Sequence, residues 1–215
     1  MTSPSNPFVI TKEEDAYLKI GFIGAGGTGK TSVAKLLESQ LSEPFRPSIV
    51  RATMEGLGIN HESDQNHLTE EQRYRIQLAI FEAKLKQDKE HQYGLFDRTP
   101  IDHLAYCMHR CANVIPDDDW CLMLTQAQDA IRRYDLIFFF PYYHWGVPTD
   151  GFRQEGLAYK TKIELLQRAL LNDLGIDFIE LTNVAPEDRA IYVHNCVIYQ
   201  RNVVLSRGTA RWYQD

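Results

Sequence analysis

A glycine-rich loop between an apolar run and an amphipathic segment constrains the fold of this chain more than any other feature. The run Leu18–Ile23 predicts a β-strand, and apolar residues at helical spacing follow the loop from Val33 onward. Between them stand Gly24, Ala25, Gly26, Gly27, Thr28, Gly29, Lys30 and Thr31. This is the G-x-x-x-x-G-K-[ST] pattern in the strand–loop–helix setting that it requires. The sequence therefore predicts a phosphate-binding loop at the end of a buried strand.

The residue types of this loop each have a physical reason. Glycines allow backbone angles and a close approach that a Cβ atom would obstruct, so successive N–H groups can point at phosphate oxygens. The N-terminus of the following helix adds a partial positive charge. We expect Lys30 to neutralise the β- and γ-phosphates of ATP, and Thr31 to bind the Mg²⁺ that bridges them. ATP and Mg²⁺ are thus the expected cofactors, bound by the loop together with Ser32.

Short apolar runs that alternate with longer helical patterns predict the fold class. Four further strand-like runs are Ser48–Ala52, Tyr93–Phe96, Leu136–Phe140 and Ile176–Leu181. Helices are predicted at Thr69–His91, Pro100–Ala112, Pro116–Arg133, Gln154–Leu174 and Pro186–Leu205. Such alternation is typical of a parallel sheet covered on both faces. We predict an α/β three-layer sandwich of the P-loop NTPase type, with a five-stranded parallel sheet and a helical lid over about residues 145–162.

Composition and charge narrow the class of protein. The 215 residues, 44% apolar and 24% charged, are enough for one buried core, so we predict a single domain over 1–215 with residues 1–16 as a flexible lead. The net charge of −6 argues against a broad basic surface for nucleic acid. Apolar runs fall short of the roughly 20 residues that cross a bilayer, and the start lacks the apolar core of a secretory signal. We expect a cytoplasmic protein with no membrane partner.

A polar motif at the end of the third predicted strand bears on the fate of the phosphoryl group. The carboxyl ends of parallel strands converge, so we expect Asp97 close to Thr31 and the metal. An aspartate there can order Mg²⁺ or accept the proton of an attacking hydroxyl. Arg98 can hold phosphate or the acceptor with its guanidinium. The alternatives are that Asp97 caps the helix that begins at Pro100 and that Arg98 forms a surface ion pair.

Three segments together resemble a known group of enzymes. They are the loop Gly24–Thr31, the run Asp97–Tyr106, which is similar to a D-R-[ST]-x-x-D-x-x-A-Y pattern, and Asp150–Arg153, which is similar to a D-G-x-R pattern. On these motifs the chain resembles P-loop kinases of the nucleoside and nucleotide kinase group, especially those similar to nicotinamide ribose kinases. The resemblance extends from about Leu18 to Leu205, and its first motif is the most specific.

The resemblance implies a role for each matching residue. By it, Asp97 is the metal-proximal acid or the catalytic base, Arg98 contacts phosphate, and Arg153 at the start of the lid closes over the ATP phosphates. Together with Lys30 these residues form the expected catalytic set, and Thr31 with Asp97 the expected metal site. The chain departs from the group at the end of the second predicted strand, where an acidic residue is frequent and Ser48 stands instead.

An NTP-driven switch or motor, in which water attacks the nucleotide, is the alternative class of function. A GTPase carries an N-K-x-D run for guanine, and this sequence contains none. Motors of the AAA type usually carry adjacent carboxylates after a hydrophobic strand, whereas Leu136–Phe140 leads directly into Pro141. We therefore expect an ATP-dependent phosphotransferase with an alcohol group as acceptor.

The acceptor is expected to be a free nucleoside, a nucleotide or a related small molecule. The second expectation is a hydroxyl of nucleic acid, either a polynucleotide end or a hydroxymethylated base, as in the viral DNA-hypermodification kinases that the chain also resembles. Four aromatic residues follow the fourth strand and can stack on a base or simply pack at the root of the lid: Tyr142, Tyr143, His144 and Trp145. The oligomeric state stays open, with a homodimer as one alternative.

Several other residues have both a functional and a structural interpretation. Lys160 and Lys162 can join Arg153 over the phosphates or lie on a solvated helix face, and Arg51 and Arg189 can reach the ligands or form surface ion pairs. Asp102 either faces the acceptor or caps its own helix. Residues 103, 107 and 111 (His, Cys, Cys) share one helical face and are expected to be core or surface residues rather than a zinc site.

Overall fold

A parallel β-sheet forms the centre of the molecule. The computed structural model describes residues 17–142, 156–182 and 185–206. Within these ranges the strands are β1 (Lys19–Ile23), β2 (Phe45–Arg46), β3 (Gly94–Asp97), β4 (Leu136–Phe139) and β5 (Ile179–Glu180). They pair in the order β2–β3–β1–β4–β5, and each pairing is parallel. The predicted five-stranded parallel sheet is therefore confirmed.

Helices cover both faces of this sheet. The described ranges contain α1 (Lys30–Glu38), α2 (Val50–Gly56), α3 (Glu70–Glu90), α4 (Pro100–Cys111), α5 (Asp117–Ile131), α6 (Leu157–Asp173) and α7 (Pro186–Ser206), with a 3₁₀ helix at Glu62–His67. The capping box that the sequence predicts for α3 is present, because Thr69 Oγ1 accepts from Gln72 N at 3.2 Å and Thr69 N donates to Gln72 Oε1 at 2.9 Å. The first two residues of the helix predicted from Gln154 lie outside the described residues.

The second strand lies elsewhere than the sequence predicts. The run Ser48–Ala52 is not a strand; β2 precedes it, and α2 begins at Val50. Pro47 lacks the N–H that would continue the ladder, so pairing with β3 ends at Arg46. The apolar side chains after it pack with Met54 and α3 instead. A short apolar run fits either a strand or a buried helix, and in this chain the packing against α3 favours the helix. Ser48 therefore does not occupy the end of the second strand.

Each face of the sheet has its own buried core. Phe22 and Phe138 lie on the face that α1 and α7 cover, whereas Phe96 and Phe139 lie on the face of α3, α4, α5 and α6. All four rings are fully buried, and each contributes about 2 kcal/mol to folding. None of the helices in the described ranges has the length and apolar character that a bilayer crossing requires.

A buried charge network joins α3 to the sheet. The Lys19 ammonium, on β1, donates to the backbone oxygens of Asp88 at 2.7 Å and His91 at 3.1 Å. Lys84 pairs with the Asp88 carboxylate at 2.8 Å, and the Tyr134 hydroxyl donates to the same carboxylate at 2.8 Å. Burial lowers the pKa of Lys19 to about 8. The network fixes the C-terminal half of α3 at the amino end of β1, opposite the glycine-rich loop.

Candidate active site

The glycine-rich loop leaves β1 and opens α1, as the sequence predicts. Gly29 is the N-cap of α1 with φ of 89°, and Gly24 has φ of 152°. A Cβ atom on Gly24 would lie 2.5 Å from the Phe140 carbonyl oxygen, so this position requires glycine. The Lys30 ammonium folds back into the loop and donates to the oxygens of Gly24 and Ala25, each at 2.7 Å. The loop thus curves around the ammonium group that is expected to neutralise phosphate.

The structure brings the two predicted metal ligands together. Phe22 of β1 pairs with Asp97 at the end of β3, so Asp97 lies beside the start of α1. The Thr31 hydroxyl donates to Asp97 Oδ2 at 2.5 Å. A hydroxyl and a carboxylate are hard oxygen ligands of the kind that Mg²⁺ prefers, and both are positioned by rigid elements. The residues present therefore fit a Mg²⁺ bound between the loop and β3.

Arg98 follows directly and has an unusual backbone. Its φ is 80°, a left-handed conformation that few residues other than glycine adopt and that often marks functional sites. Its side chain is 6% exposed, lies 3.7 Å from Asp102 Oδ1, and places its guanidinium 5.0 Å from the centre of the Tyr106 ring. Arg98 is therefore not on the surface, and its guanidinium points into the protein beside the phosphate loop.

Asp102 connects the loop to α4. Its Oδ2 accepts from Thr99 N at 2.8 Å and from the Thr99 hydroxyl at 3.2 Å, so it caps its own helix as one interpretation expects. Its Oδ1 accepts from Gly24 N at 3.2 Å and from Gln167 Nε2 at 2.9 Å. Burial raises the pKa of Asp102, while the charges of Arg98 and Lys30 oppose that rise. Thr99, not Asp97, is the N-cap of α4, which leaves the Asp97 carboxylate directed at Thr31.

Two more cations lie at the loop, and the sequence left both undecided. Lys160 on α6 is only 9% exposed, and its ammonium would lie 3.5 Å from a Cβ atom on Gly27. Arg189 on α7 is 5% exposed and donates to the Thr28 backbone oxygen at 2.6 Å. Neither is a solvated surface residue. In contrast, residues 162 (Lys) and 51 (Arg) are exposed.

A cavity opens beside Arg98, between α2, the 3₁₀ helix, α3 and α4. It offers about 20 Å³ to water-sized molecules, within about 290 Å³ of free space that is continuous with solvent. Its apolar wall consists of Val50, Met54 and Ile80, and its polar wall of Gln65, Gln77, Arg98, His103, Tyr106 and Arg110. Gln77 donates to Gln65 Oε1 at 2.9 Å, and Arg110 donates to the Tyr159 hydroxyl at 2.9 Å. This space fits about one ordered water molecule and is much smaller than a typical small-molecule site.

Sequence reasoning missed most of this cavity. Gln65 lies in a 3₁₀ helix that no pattern predicted, and the sequence indicated only a core or surface position for His103. One signal was available for Gln77, which sits on the apolar face of α3 between Tyr74 and Phe81, where an uncharged polar residue needs a partner. Of the two positions that the sequence left open for Cys107 and Cys111, the structure places both in the buried core.

Part of the predicted site lies outside the described residues. This applies to Arg153, to the D-G-x-R motif and to the aromatic residues from Tyr143 to Trp145. Tyr142 is described: its backbone N–H donates to Glu164 Oε2 at 2.6 Å, and the Lys160 ammonium lies 4.9 Å from its ring centre. The last described residue before the expected lid is therefore fixed to α6 beside the loop.

Comparison with known proteins places this geometry in context. A family model described as an AAA domain matches residues 19–189. No curated protein is similar enough in sequence to match. Deoxyadenosine kinase from M. mycoides with bound dCTP has a TM-score of 0.62 and 14% identity, over 85% of this chain and all of that one.

Two other solved structures are similar in fold. The NadR protein in complex with NR has a TM-score of 0.61 and 17% identity, over 86% of this chain and 51% of NadR, so the chain corresponds to about half of that protein. Thymidylate kinase from Candida albicans has a TM-score of 0.54 and 14% identity, over 93% of this chain and 96% of that one. At such identities the likeness concerns the fold.

Proposed function

The chain belongs to the family described as an AAA domain, and from this premise we propose that it is an ATP- and Mg²⁺-dependent kinase. It transfers the γ-phosphoryl group to a hydroxyl of a nucleoside, a nucleotide or a related small acceptor. The observation that carries the proposal is that Arg98 belongs to two sites at once. It follows Asp97 at the phosphate loop, and it also lines the cavity. An arginine shared between the phosphate site and a neighbouring cavity suits an enzyme that binds an acceptor beside its nucleotide.

The loop and its cations bind and orient the nucleotide. In this proposal the backbone of Gly24–Thr31 and Ser32 surrounds the phosphates, and the Lys30 ammonium exchanges its two carbonyl partners for phosphate oxygens. Thr31 and Asp97 would hold Mg²⁺, which would supply charge neutralisation for the nucleotide phosphates. Lys160, already beside Gly27, adds a further positive charge on the same side of the loop.

Asp97 and Arg98 act on the acceptor. Oδ2 of Asp97 is fixed by the Thr31 hydroxyl, and the same carboxylate, through Oδ1, accepts the proton of the attacking hydroxyl. Arg98 reaches from this point into the cavity and holds the acceptor in line with the γ-phosphorus. Arg153, outside the described residues, is proposed to close over the transferring phosphoryl group, as the D-G-x-R pattern suggests.

A γ-³²P transfer screen tests the proposal. Panel members are the common ribo- and deoxynucleosides, their monophosphates, nicotinamide riboside, and DNA with or without hydroxymethylated bases. Label in a small molecule supports the proposal, whereas label only in DNA moves the function to the nucleic acid alternative. The competing result is ATP hydrolysis at full rate without any acceptor. That result would exclude the kinase.

A further inference from the structure

Arg189 is a buried arginine that the mechanism above does not use. It lies near the start of α7, is 5% exposed, and donates through Nη1 to the Thr28 backbone oxygen at 2.6 Å, 161 residues away along the chain. Its guanidinium carbon lies 5.7 Å from the centre of the Phe140 ring. A hydrogen bond from a charged donor is shorter and stronger than a neutral one. This contact therefore fixes one peptide group of the glycine-rich loop.

The position of this cation is electrostatically unfavourable until an anion binds nearby. Arg189 Nη1 would lie 3.5 Å from a Cβ atom on Gly29, which is the N-cap of α1. The N-terminus of a helix carries a partial positive charge, so a cation beside it is repelled. Lys30, the first residue of α1, adds a second positive charge at the same end. An anion at this helix end reverses the balance, because it is attracted by all three.

The bond to Arg189 sets the orientation of the peptide group between Thr28 and Gly29. A trans peptide group is planar, with its C=O and N–H pointing in opposite directions, and the described residues contain no cis peptide bond. Because the Thr28 carbonyl points towards Arg189, the N–H of Gly29 points to the other side of the loop. Thr28 is also held from within the loop, since its hydroxyl donates to the Ala25 oxygen at 3.0 Å and accepts from the Lys30 ammonium at 3.0 Å.

The core beneath α7 keeps the arginine in this place. One buried cluster contains residues of both α7 and α1, namely Ala190, Val193 and Val197 with Val33, Ala34 and Leu37. The Arg189 guanidinium therefore approaches the loop from a helix that is packed on the same helix which the loop opens. A rigid support of this kind is what a residue needs in order to hold another group in a set direction.

We propose that Arg189 is a positioning residue for the nucleotide, which acts through the Thr28 carbonyl to hold the Gly29 N–H towards the phosphates. This inference rests on the part of the proposed function in which the loop binds ATP, and it adds a residue of α7, a helix that carries none of the sequence motifs. The bond also polarises the peptide group, which makes the Gly29 N–H a stronger donor. Arg189 touches no reacting atom in this assignment.

Calorimetric titration of three variants tests the assignment. The probes are ATP with Mg²⁺ and tripolyphosphate with Mg²⁺, of which the second has the phosphates but neither base nor sugar. Arg189→Met keeps an apolar stem and removes every donor, whereas Arg189→Lys keeps the charge and a donor. Arg201→Met is the matched control, because Arg201 is an arginine of α7 with a side chain only 13% exposed that bonds Glu43 instead of the loop. Each variant is checked for folding by circular dichroism and thermal unfolding.

The affinities for the two probes should fall together. We expect Arg189→Met to weaken the binding of ATP and of tripolyphosphate about tenfold each, because the loop loses the charged donor that orients its peptide group. Arg189→Lys should regain part of both affinities. Arg201→Met should bind both probes as wild type does, even though it unfolds at a lower temperature. In the transfer assay, Arg189→Met should raise the KM for ATP, while kcat and the KM for the acceptor change less than about threefold.

Two failures are distinguishable. If wild type binds neither probe, the proposed function itself fails. If wild type binds both and Arg189→Met binds them equally well, the role of Arg189 is wrong and the kinase proposal stands. An affinity lost for ATP but not for tripolyphosphate would also overturn the role, since Arg189 would then act on the base or sugar, and so would an equal loss in Arg201→Met. Should Arg189→Met not fold, wild-type affinities in Arg189→Gln would overturn the assignment equally.

Discussion

The buried ammonium of Lys19 makes a quantitative prediction about stability and pH. Its side chain is 1% exposed, between the rings of Phe96 and Tyr134, and burial lowers its pKa from 10.5 to about 8. Below about pH 8 the group is charged in both the folded and the unfolded chain, and folding bears the full cost of burying that charge. As the pH rises from the folded pKa towards 10.5, the unfolded chain binds more protons, so this cost disappears and stability increases.

The size of the increase follows from linkage. Each pH unit within this window changes the free energy of unfolding by roughly 1.4 kcal/mol, so the step from about pH 8 to about pH 9.5 gives at most about 2 kcal/mol. Solvent near the amino end of β1 screens part of the charge, which reduces our expectation to about 1–2 kcal/mol. Tyr134 limits how high the pH of the experiment can be. Burial raises the pKa of Tyr134 well above 10, so at higher pH this tyrosine ionises more readily in the unfolded chain, which lowers stability and opposes the effect of Lys19.

Urea unfolding at about pH 7, 8, 9 and 9.5 in reducing buffer measures this effect. Wild type is compared with Lys19→Met, which keeps an apolar stem of similar length and cannot titrate. The difference between their free energies of unfolding should change by about 1–2 kcal/mol across the series in favour of the wild type. Lys86→Met is the control, because Lys86 is 75% exposed on α3, and its difference from wild type should stay constant. Parallel curves for wild type and Lys19→Met would refute the assigned pKa.

Three further predictions concern the phosphate loop and β3. Lys30→Ala should reduce γ-³²P transfer by about a hundredfold or more while circular dichroism stays unchanged, because the expected phosphate cation is gone. Asp97→Asn should lower kcat by about 10²–10⁴-fold and ATP affinity, measured by calorimetry, far less; normal turnover would contradict its role. Gly24→Ala should destabilise the fold by about 1–3 kcal/mol in urea, whereas Gly56→Ala, with no atom within 4 Å of the new Cβ, should be neutral or stabilising.

Much of the fold was predictable because its strongest signals are local. The glycine-rich loop needs a strand before it and a helix after it. The α3 capping box is predicted by Thr69 with Gln72 three residues later. The second strand was misplaced because Ile49 and Val50 are equally apolar in a strand and in a helix that packs on α3. Only two residues of β2 pair with β3, and so short a ladder leaves no periodic pattern to detect.

The phosphate half of the proposed site was more predictable than the cavity proposed for the acceptor. Thr31 lies in the first turn of α1 and Asp97 ends β3, and both elements are predictable from the sequence. In a parallel sheet the carboxyl ends of the strands, and the helix starts that follow them, lie close together. The cavity, in contrast, is built from side chains of α2, the 3₁₀ helix, α3 and α4 together with Arg98 after β3, which meet only through tertiary packing. His103 illustrates the difficulty. Its spacing from Cys107 and Cys111 shows a shared helical face, but not that one edge of this face borders a cavity.

A single buried carboxylate makes these two halves interdependent. Asp102 accepts hydrogen bonds from Gly24 N of the loop, from the cap of α4, and from Gln167 of α6. α4 carries cavity residues, and α6 carries Lys160, so a shift of any of these elements changes a bond at the same carboxylate. Losing one donor to a buried carboxylate costs about 1–3 kcal/mol, enough to oppose independent movement of the loop and the cavity wall. The loop geometry and the cavity wall are therefore set together, which suits the proposed enzyme, since it must align two ligands, better than a switch that binds one.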